Sequence, residues 1–339
     1  MQRVIGSGAM LALALSSALG FGQSEPPSAP TPQQAPAAPA SQEAPSAPTP
    51  QRAPAATPGE PQFPPVSEAN FDAPSPTRGE VEAFLKTSWG YDENRVWEVY
   101  SIQKTQAPGV SKVTVLVAEK QTPQQIANLS FFVTPDGKHL IASEAVLEFG
   151  AHPYENNYRT LQQRADGPSK GASAKQFELV EFADFQCPHC KEAQSTAEKL
   201  TQDFPQAHFV FENFPLVNIH PEAYKAATWG ACVAQQGGSE AFFKYADSVF
   251  GAQNDLAGQG ADLALRNAAN AAGADPDKTG SCADSATGKG AVDASLQLGH
   301  DLNVDQTPML FIDGRGVPML AVPYDQLKKI VEYQFSLDK

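Results

Sequence analysis

The chain has 339 residues, a formal net charge of -14 at pH 7 and four cysteines. That length accommodates two modest folded domains and an additional extended segment. The acidic balance excludes a basic footprint for nucleic acid, and because the acidic residues are scattered it implies solubility and nothing more specific.

The chain opens with Arg3 and an apolar, Leu/Ala-rich stretch from Val4 to Phe21. Residues 1–22 read as a secretory signal with a cut near Gly20 or Gly22. The alternative is an uncleaved anchor, for which a stretch interrupted by glycines and serines is marginal in length. Both readings place the remainder outside the cytoplasm, as a periplasmic, secreted or membrane-tethered protein, where disulfides persist. Residues 23–65 are dominated by Pro, Ala, Gln and Ser, and the run S-A-P-T-P-Q at Ser28 recurs at Ser46. Such a segment has too little apolar surface to pack and reads as a disordered Pro/Ala-rich linker. At about 3 Å per residue its extended reach exceeds roughly 100 Å.

Residues 66–160 read as a small α+β domain. Thr77 and Glu80 fit a capping box, after which Val81, Phe84, Leu85 and Trp89 recur on one helical face. Strands are predicted over 95–103, 112–118, 126–133 and 138–149, with Pro135-Asp136-Gly137 turning between the last two. The run 132–141 (F-V-T-P-D-G-K-H-L-I) is similar to the N-terminal domain of DsbC-like and DsbG-like isomerases, which implies a domain that dimerises. Asn128-Leu129-Ser130 matches a glycosylation acceptor but falls within a predicted strand. Residues 161–176, small, polar and Gly-rich, read as a hinge.

The last segment, 177–339, carries the chemistry. An apolar strand is predicted over 177–185 and a helix over 191–200, and between them stand Cys187, Pro188, His189 and Cys190. Two thiols two residues apart can close a small disulfide and pass it on. At a helix N-terminus, unsatisfied backbone N–H groups and the helix dipole favour the Cys187 thiolate, the reactive form. Pro188 fits the first helical turn, and His189 as a cation or donor adds to the thiolate's stability. Zinc requires a second close ligand pair, whereas Cys232 and Cys282 lie far apart in sequence, and His152, His208, His220 and His300 have no ligand spacing. A purely structural disulfide across two residues would relieve little chain entropy. Downstream, a strand is predicted over 209–214 and helices over 220–236, 239–253, 262–272 and 291–302. Thr307-Pro308 then precedes an apolar strand over 309–312 and the turn Asp313-Gly314, and an amphipathic helix over 324–335 closes the chain.

The segment Glu181 to Ala193 (E-F-A-D-F-Q-C-P-H-C-K-E-A), together with Thr307-Pro308 before a strand, resembles DsbA-like disulfide oxidoreductases. The resemblance covers about half the chain and implies an α/β, thioredoxin-like fold with a helical insertion, preceded here by the small α+β domain and the linker. It makes Cys187 the partly exposed nucleophile and Cys190 the buried resolving thiol, with Pro188 and His189 tuning the potential. It further makes Pro308 a cis-proline that forms, with Thr307, the substrate-facing rim. Glu181 falls where these proteins keep a buried acid that relays a proton to the inner sulfur; Asp184, on the opposite face by strand alternation, is the alternative. The family also implies a second disulfide in the helical region, Cys232 to Cys282, the alternative being two buried thiols. The expected function is an extracytoplasmic protein thiol:disulfide oxidoreductase that oxidises substrate thiols and needs no cofactor or metal. Its expected partners are cysteine-containing exported proteins and a quinone-linked membrane reoxidant. Alternatives are a dimeric isomerase or reductase served by a membrane reductant, and a peptide-binding chaperone module.

Overall fold

Thr77 and Glu80 form the expected reciprocal cap: the Glu80 amide donates to Thr77 Oγ1 at 3.2 Å and the Thr77 amide to Glu80 Oε2 at 2.7 Å. Two otherwise orphaned donors are thereby satisfied, and helix α1, Arg78–Trp89, starts there. The computed structural model describes residues 60–143 and 145–337. The expected signal and all but the last residues of the expected linker lie outside these residues. Among the described residues no helix is long and apolar enough to cross a membrane.

Val81, Phe84, Leu85 and Trp89 of α1 are buried against Val99, Val113, Val115, Phe131 and Val133. These last five belong to an antiparallel sheet of strands β1 (Arg95–Lys104), β2 (Ser111–Glu119), β3 (Thr122–Val133), β4 (His139–Ala142) and β5 (Ala145–Glu148), in that order. The single strand expected over 138–149 is thus a hairpin. Ala142 pairs with Ala145, and Ser143 takes a left-handed backbone (φ 52°) that reverses the chain. On the outer face Phe132 pairs with Ile141 and Ile141 with Val146, an apolar row at 42, 36 and 64 % exposure.

The expected hinge carries ordered structure. Helix α2, Glu155–Arg164, enters it, and β6, Ser169–Gly171, adds to the second sheet by pairing with β8, His208–Asn213. The physical reason is burial: Leu161 and Ala165 pack with Val180, Phe182 and Phe311, so the connection belongs to the C-terminal module. At Gly171 (φ 85°) any Cβ would collide with the Ala207 carbonyl, so the edge strand needs glycine there.

The second sheet has the order β10-β9-β7-β8-β6, with β7 (Glu178–Ala183), β9 (Met309–Ile312) and β10 (Arg315–Pro318). β7 runs parallel to β8 and antiparallel to β9, and all six of its residues are buried. A central strand covered on both faces reads as a near-continuous apolar run, as 177–185 does. Helices α3 (Pro188–Asp203) and α8 (Tyr324–Ser336) cover one face through Ala193, Leu200, Leu327 and Ile330. Helices α2 and α7 (Ala286–Asp301) cover the other. This is the thioredoxin-like arrangement expected, with α4 (Ala223–Gly251), α5 (Ala261–Ala271), α6 (Pro276–Ala283) and α7 inserted between β8 and β9. The two helices expected over 220–236 and 239–253 join as α4 across a kink at Gly238 (φ 70°). Helix α6 was not anticipated from the sequence.

The modules touch where β10 and α8 meet α1. Arg315 Nη2 donates to the Ser88 carbonyl at 2.9 Å and the Tyr333 hydroxyl to the Lys86 carbonyl at 2.6 Å, while within the C-terminal module Asn157 Nδ2 of α2 donates to the Gly314 carbonyl at 3.1 Å.

Candidate active site

β7 ends at Ala183, and the loop that follows delivers Cys187 to the N-cap of α3, with Pro188 at the first helical position. The Cys190 and Lys191 amides both donate to the Cys187 carbonyl, at 3.1 and 3.2 Å, which winds the first turn. Cys190 is fully buried and Cys187 is 5 % exposed, less open than the partly exposed nucleophile expected. The reason is the cover above it: the Thr307–Pro308 peptide is cis, and Cys187 Sγ lies 3.6 Å from the Thr307 carbonyl oxygen. Thr307 Oγ1 is buried without a partner in this thiol form, leaving a donor for the thiolate.

The two sulfurs differ sharply. The Cys187 thiol is pulled down to about 5, first by a hydrogen bond from Cys190, then by Thr307 and the backbone amides of Cys190 and His189, all acting against burial. Burial, followed by the neighbouring Cys187, pushes Cys190 far above the ordinary thiol range. His189 and Pro188 are exposed. His189 acts on the sulfur through its backbone amide, a contact that a different side chain would retain.

The two acids expected near the pair, Asp184 and Glu181, differ in their surroundings. Asp184 accepts from the Gln186 amide at 2.7 Å and the Leu216 amide at 2.7 Å, and pairs with His220 Nδ1 at 2.8 Å. Its own amide donates to Cys190 Sγ at 3.3 Å. Asp184 is a saturated loop organiser. Glu181 is 0 % exposed and both its carboxylate oxygens lack hydrogen-bond partners. Burial pushes its pKa up to about 7, with attraction to Lys170 opposing. It stands two residues from Leu179 along β7, hence on the face covered by α3.

Cys232 and Cys282 form a disulfide between α4 and α6, with their Cα atoms 5.9 Å apart, so neither thiol is free for zinc. Cys232 packs in the same apolar cluster as Cys187 and Cys190. The sequence reading missed two glutamines. Gln253, past the end of α4, donates to the carbonyls of Phe185 and Cys187 at 2.9 and 3.0 Å. Gln186 accepts from the Glu222 amide at 2.6 Å. Nothing in a lone Gln marks such a role in sequence.

A family model described as thioredoxin matches residues 164–333. Among curated proteins, the chain is 31 % identical over 137 residues to Na(+)/H(+) antiporter NhaA 3 of Salinispora tropica, covering 40 % of this chain and 20 % of that protein. It is 35 % identical over 79 residues to Na(+)/H(+) antiporter NhaA 1 of Mycolicibacterium vanbaalenii, covering 23 % and 12 %. The chain thus spans a fifth or less of the length of these relatives. Among solved structures it is similar to the catalytic domain of Proteus mirabilis ScsC (22 % identity, 53 % of this chain and 99 % of that one, TM-score 0.44). It is also similar to a periplasmic thioredoxin-like protein from Salmonella enterica serovar Typhimurium (23 %, 54 % and 97 %, TM-score 0.43).

Proposed function

The chain belongs to the thioredoxin family over residues 164–333, and from that membership and the site's chemistry we propose that it is a protein thiol–disulfide oxidoreductase that oxidises substrate dithiols outside the cytoplasm. The observation that carries the reading is the divergence of the two thiols, one drawn down to about 5 and the other pushed far up. A substrate thiolate attacks Cys187 Sγ of the Cys187–Cys190 disulfide, and Cys190 leaves with the bond's electron pair. Cys190 needs a proton as it leaves. Glu181, with its pKa near 7 and on the face beneath α3, is the group suited to give it. A second substrate thiolate then attacks the substrate sulfur of the mixed disulfide and releases Cys187 as its stabilised thiolate. Stabilising that product makes the pair a better oxidant. Two electrons rest on Cys187 and Cys190 and must pass to an acceptor, for which a quinone-linked membrane protein is the partner proposed. Thr307 and Pro308, covering Cys187, form the rim that faces cysteine-containing exported substrates. The Cys232–Cys282 disulfide, with Cys282 half-buried, supports an oxidising compartment.

The second reading, a dimeric isomerase kept reduced by a membrane reductant, is favoured by the exposed row Phe132, Ile141 and Val146 on the N-terminal module. One experiment separates the two: the reduction potential of the Cys187–Cys190 pair in glutathione buffers, with sedimentation of the same sample. A potential well above that of thioredoxin in a monomer is expected. A thioredoxin-like potential in a dimer would replace the oxidase reading by the isomerase one.

Glu181 gives a second test. Its folded pKa lies above the ordinary 4.5, so the folded state holds this proton more tightly. Ionisation therefore costs stability as pH rises from about 4.5 through 7, and the cost is complete above 7. Glu181→Leu is expected to raise unfolding stability by about 3 kcal/mol more at pH 8 than at pH 5, while slowing formation of the mixed disulfide. Denaturant melts giving the same gain at both pH values would remove Glu181 from the relay.

A further inference from the structure

Both ends of α4 close on the redox loop. Glu222, just before the helix, donates its amide to Gln186 Oε1 at 2.6 Å, and Gln186 Nε2 reaches the Leu256 carbonyl at 3.4 Å. In the other direction Gln253 Nε2 donates to the carbonyls of Phe185 and Cys187, at 2.9 and 3.0 Å. Gln253 opens a single 3-10 turn, Gln253–Leu256, whose Leu256 is fully buried in the cluster that also holds Phe185, Cys187 and Phe250. The glutamine's stem is therefore anchored from below while its NH2 group spans two carbonyls of the loop.

We propose that Gln253 is a positioning residue for Cys187, its side-chain amide fixing the carbonyls on which the first turn of α3 hangs. The Cys187 carbonyl already takes the Cys190 and Lys191 amides. A third donor holds that oxygen in place and withdraws charge from it. The first turn then keeps the His189 and Cys190 amides on the Cys187 sulfur, where they favour the thiolate. The helical insert thus tunes a sulfur that lies far from Gln253 in sequence, and the inference rests on the redox role proposed for Cys187.

The test uses the full chain with Gln253→Met, which keeps the length of the side chain and removes both donors, and Gln253→Glu, which is isosteric and replaces them with a carboxylate. Two quantities are read: the titration of Cys187 by thiolate absorbance, and the equilibrium constant for exchange with glutathione. Gln253→Met is expected to raise the Cys187 midpoint and to lower the constant for substrate oxidation about tenfold, the scale of one lost hydrogen bond. Gln253→Glu is expected to do both more strongly, since it adds negative charge. Unchanged titration and unchanged exchange in folded variants would reduce Gln253 to loop packing and overturn the proposal. If the Met variant does not fold, the isosteric Glu variant carries the same readout. A wild-type protein that fails to exchange with glutathione would overturn the oxidoreductase reading instead. The titration needs no exchange partner, so it still judges Gln253.

Discussion

Cys190→Ser, supplied with glutathione disulfide as the oxidant, is expected to accumulate protein joined through Cys187 to single-cysteine substrates and released only by added reductant, and Cys187→Ser to lose exchange altogether. The asymmetry follows from the site: Cys187 is the low-pKa thiol under the Thr307 rim, whereas Cys190 is fully enclosed. In reduced wild-type protein the alkylation rate should stay flat down to about pH 6 and fall through a midpoint near 5. The same shift has a stability consequence. With a folded pKa of about 5 against an ordinary 9.0, the reduced folded state releases this proton more readily. Its contribution is complete above about pH 9 and is lost as pH falls through 5. At pH 7 reduced protein should therefore be more stable than oxidised by about 2–3 kcal/mol, with the difference vanishing near pH 5. Mixed disulfides trapped equally well by either serine variant would refute the assignment of roles.

Cys232→Ala/Cys282→Ala is expected to lower unfolding stability by roughly 4 kcal/mol, the chain-entropy value for a loop of this size. The bridge spans 50 residues and ties the first half of α4 to α6. α7 lies directly against it: a Cβ at Gly288 would meet Cys232 Sγ and the Cys282 carbonyl, so the helices pack there at backbone distance. Because Cys232 shares its apolar cluster with both redox cysteines, the loss should reach the site, and thermal melts of the double variant should precede wild type at every pH. A variant within about 1 kcal/mol of wild type would mean that the helices alone hold the insert together.

The parts of the fold written in local chemistry were legible. The capping box at Thr77, the buried run of β7, the proline at the start of α3 and the Thr307-Pro308 step each carry their own signal, and each lies where expected. The hairpin of β4 and β5 was not seen because an apolar run conceals a reversal. The buried set shifts from even positions, Leu140 and Ala142, to odd ones, Leu147 and Phe149, and only that change of parity betrays it. Helix α6 had a readable start, since Asp275 caps it through the Asp277 and Lys278 amides and Pro276 follows, but its apolar periodicity is weak. The hinge was misread because small polar residues pair at a sheet edge as readily as they link domains. At the site, the placement of Cys187 at the start of a helix was legible from residue types, whereas the contrast between Glu181 and Asp184 lies in which carboxylate finds partners, a property of three-dimensional packing.

The bonds from Arg315 and Tyr333 to α1 gather where β7 begins, through the β9–β10 turn beside it, whereas Cys187 stands beyond the strand's other end. Six residues of extended chain, about 20 Å at about 3.3 Å each, separate those two edges. The N-terminal module is thereby anchored at the edge of the sheet opposite the one from which Cys187 projects, so strain applied to that anchor has the full length of the central strand to cross before it meets the sulfur.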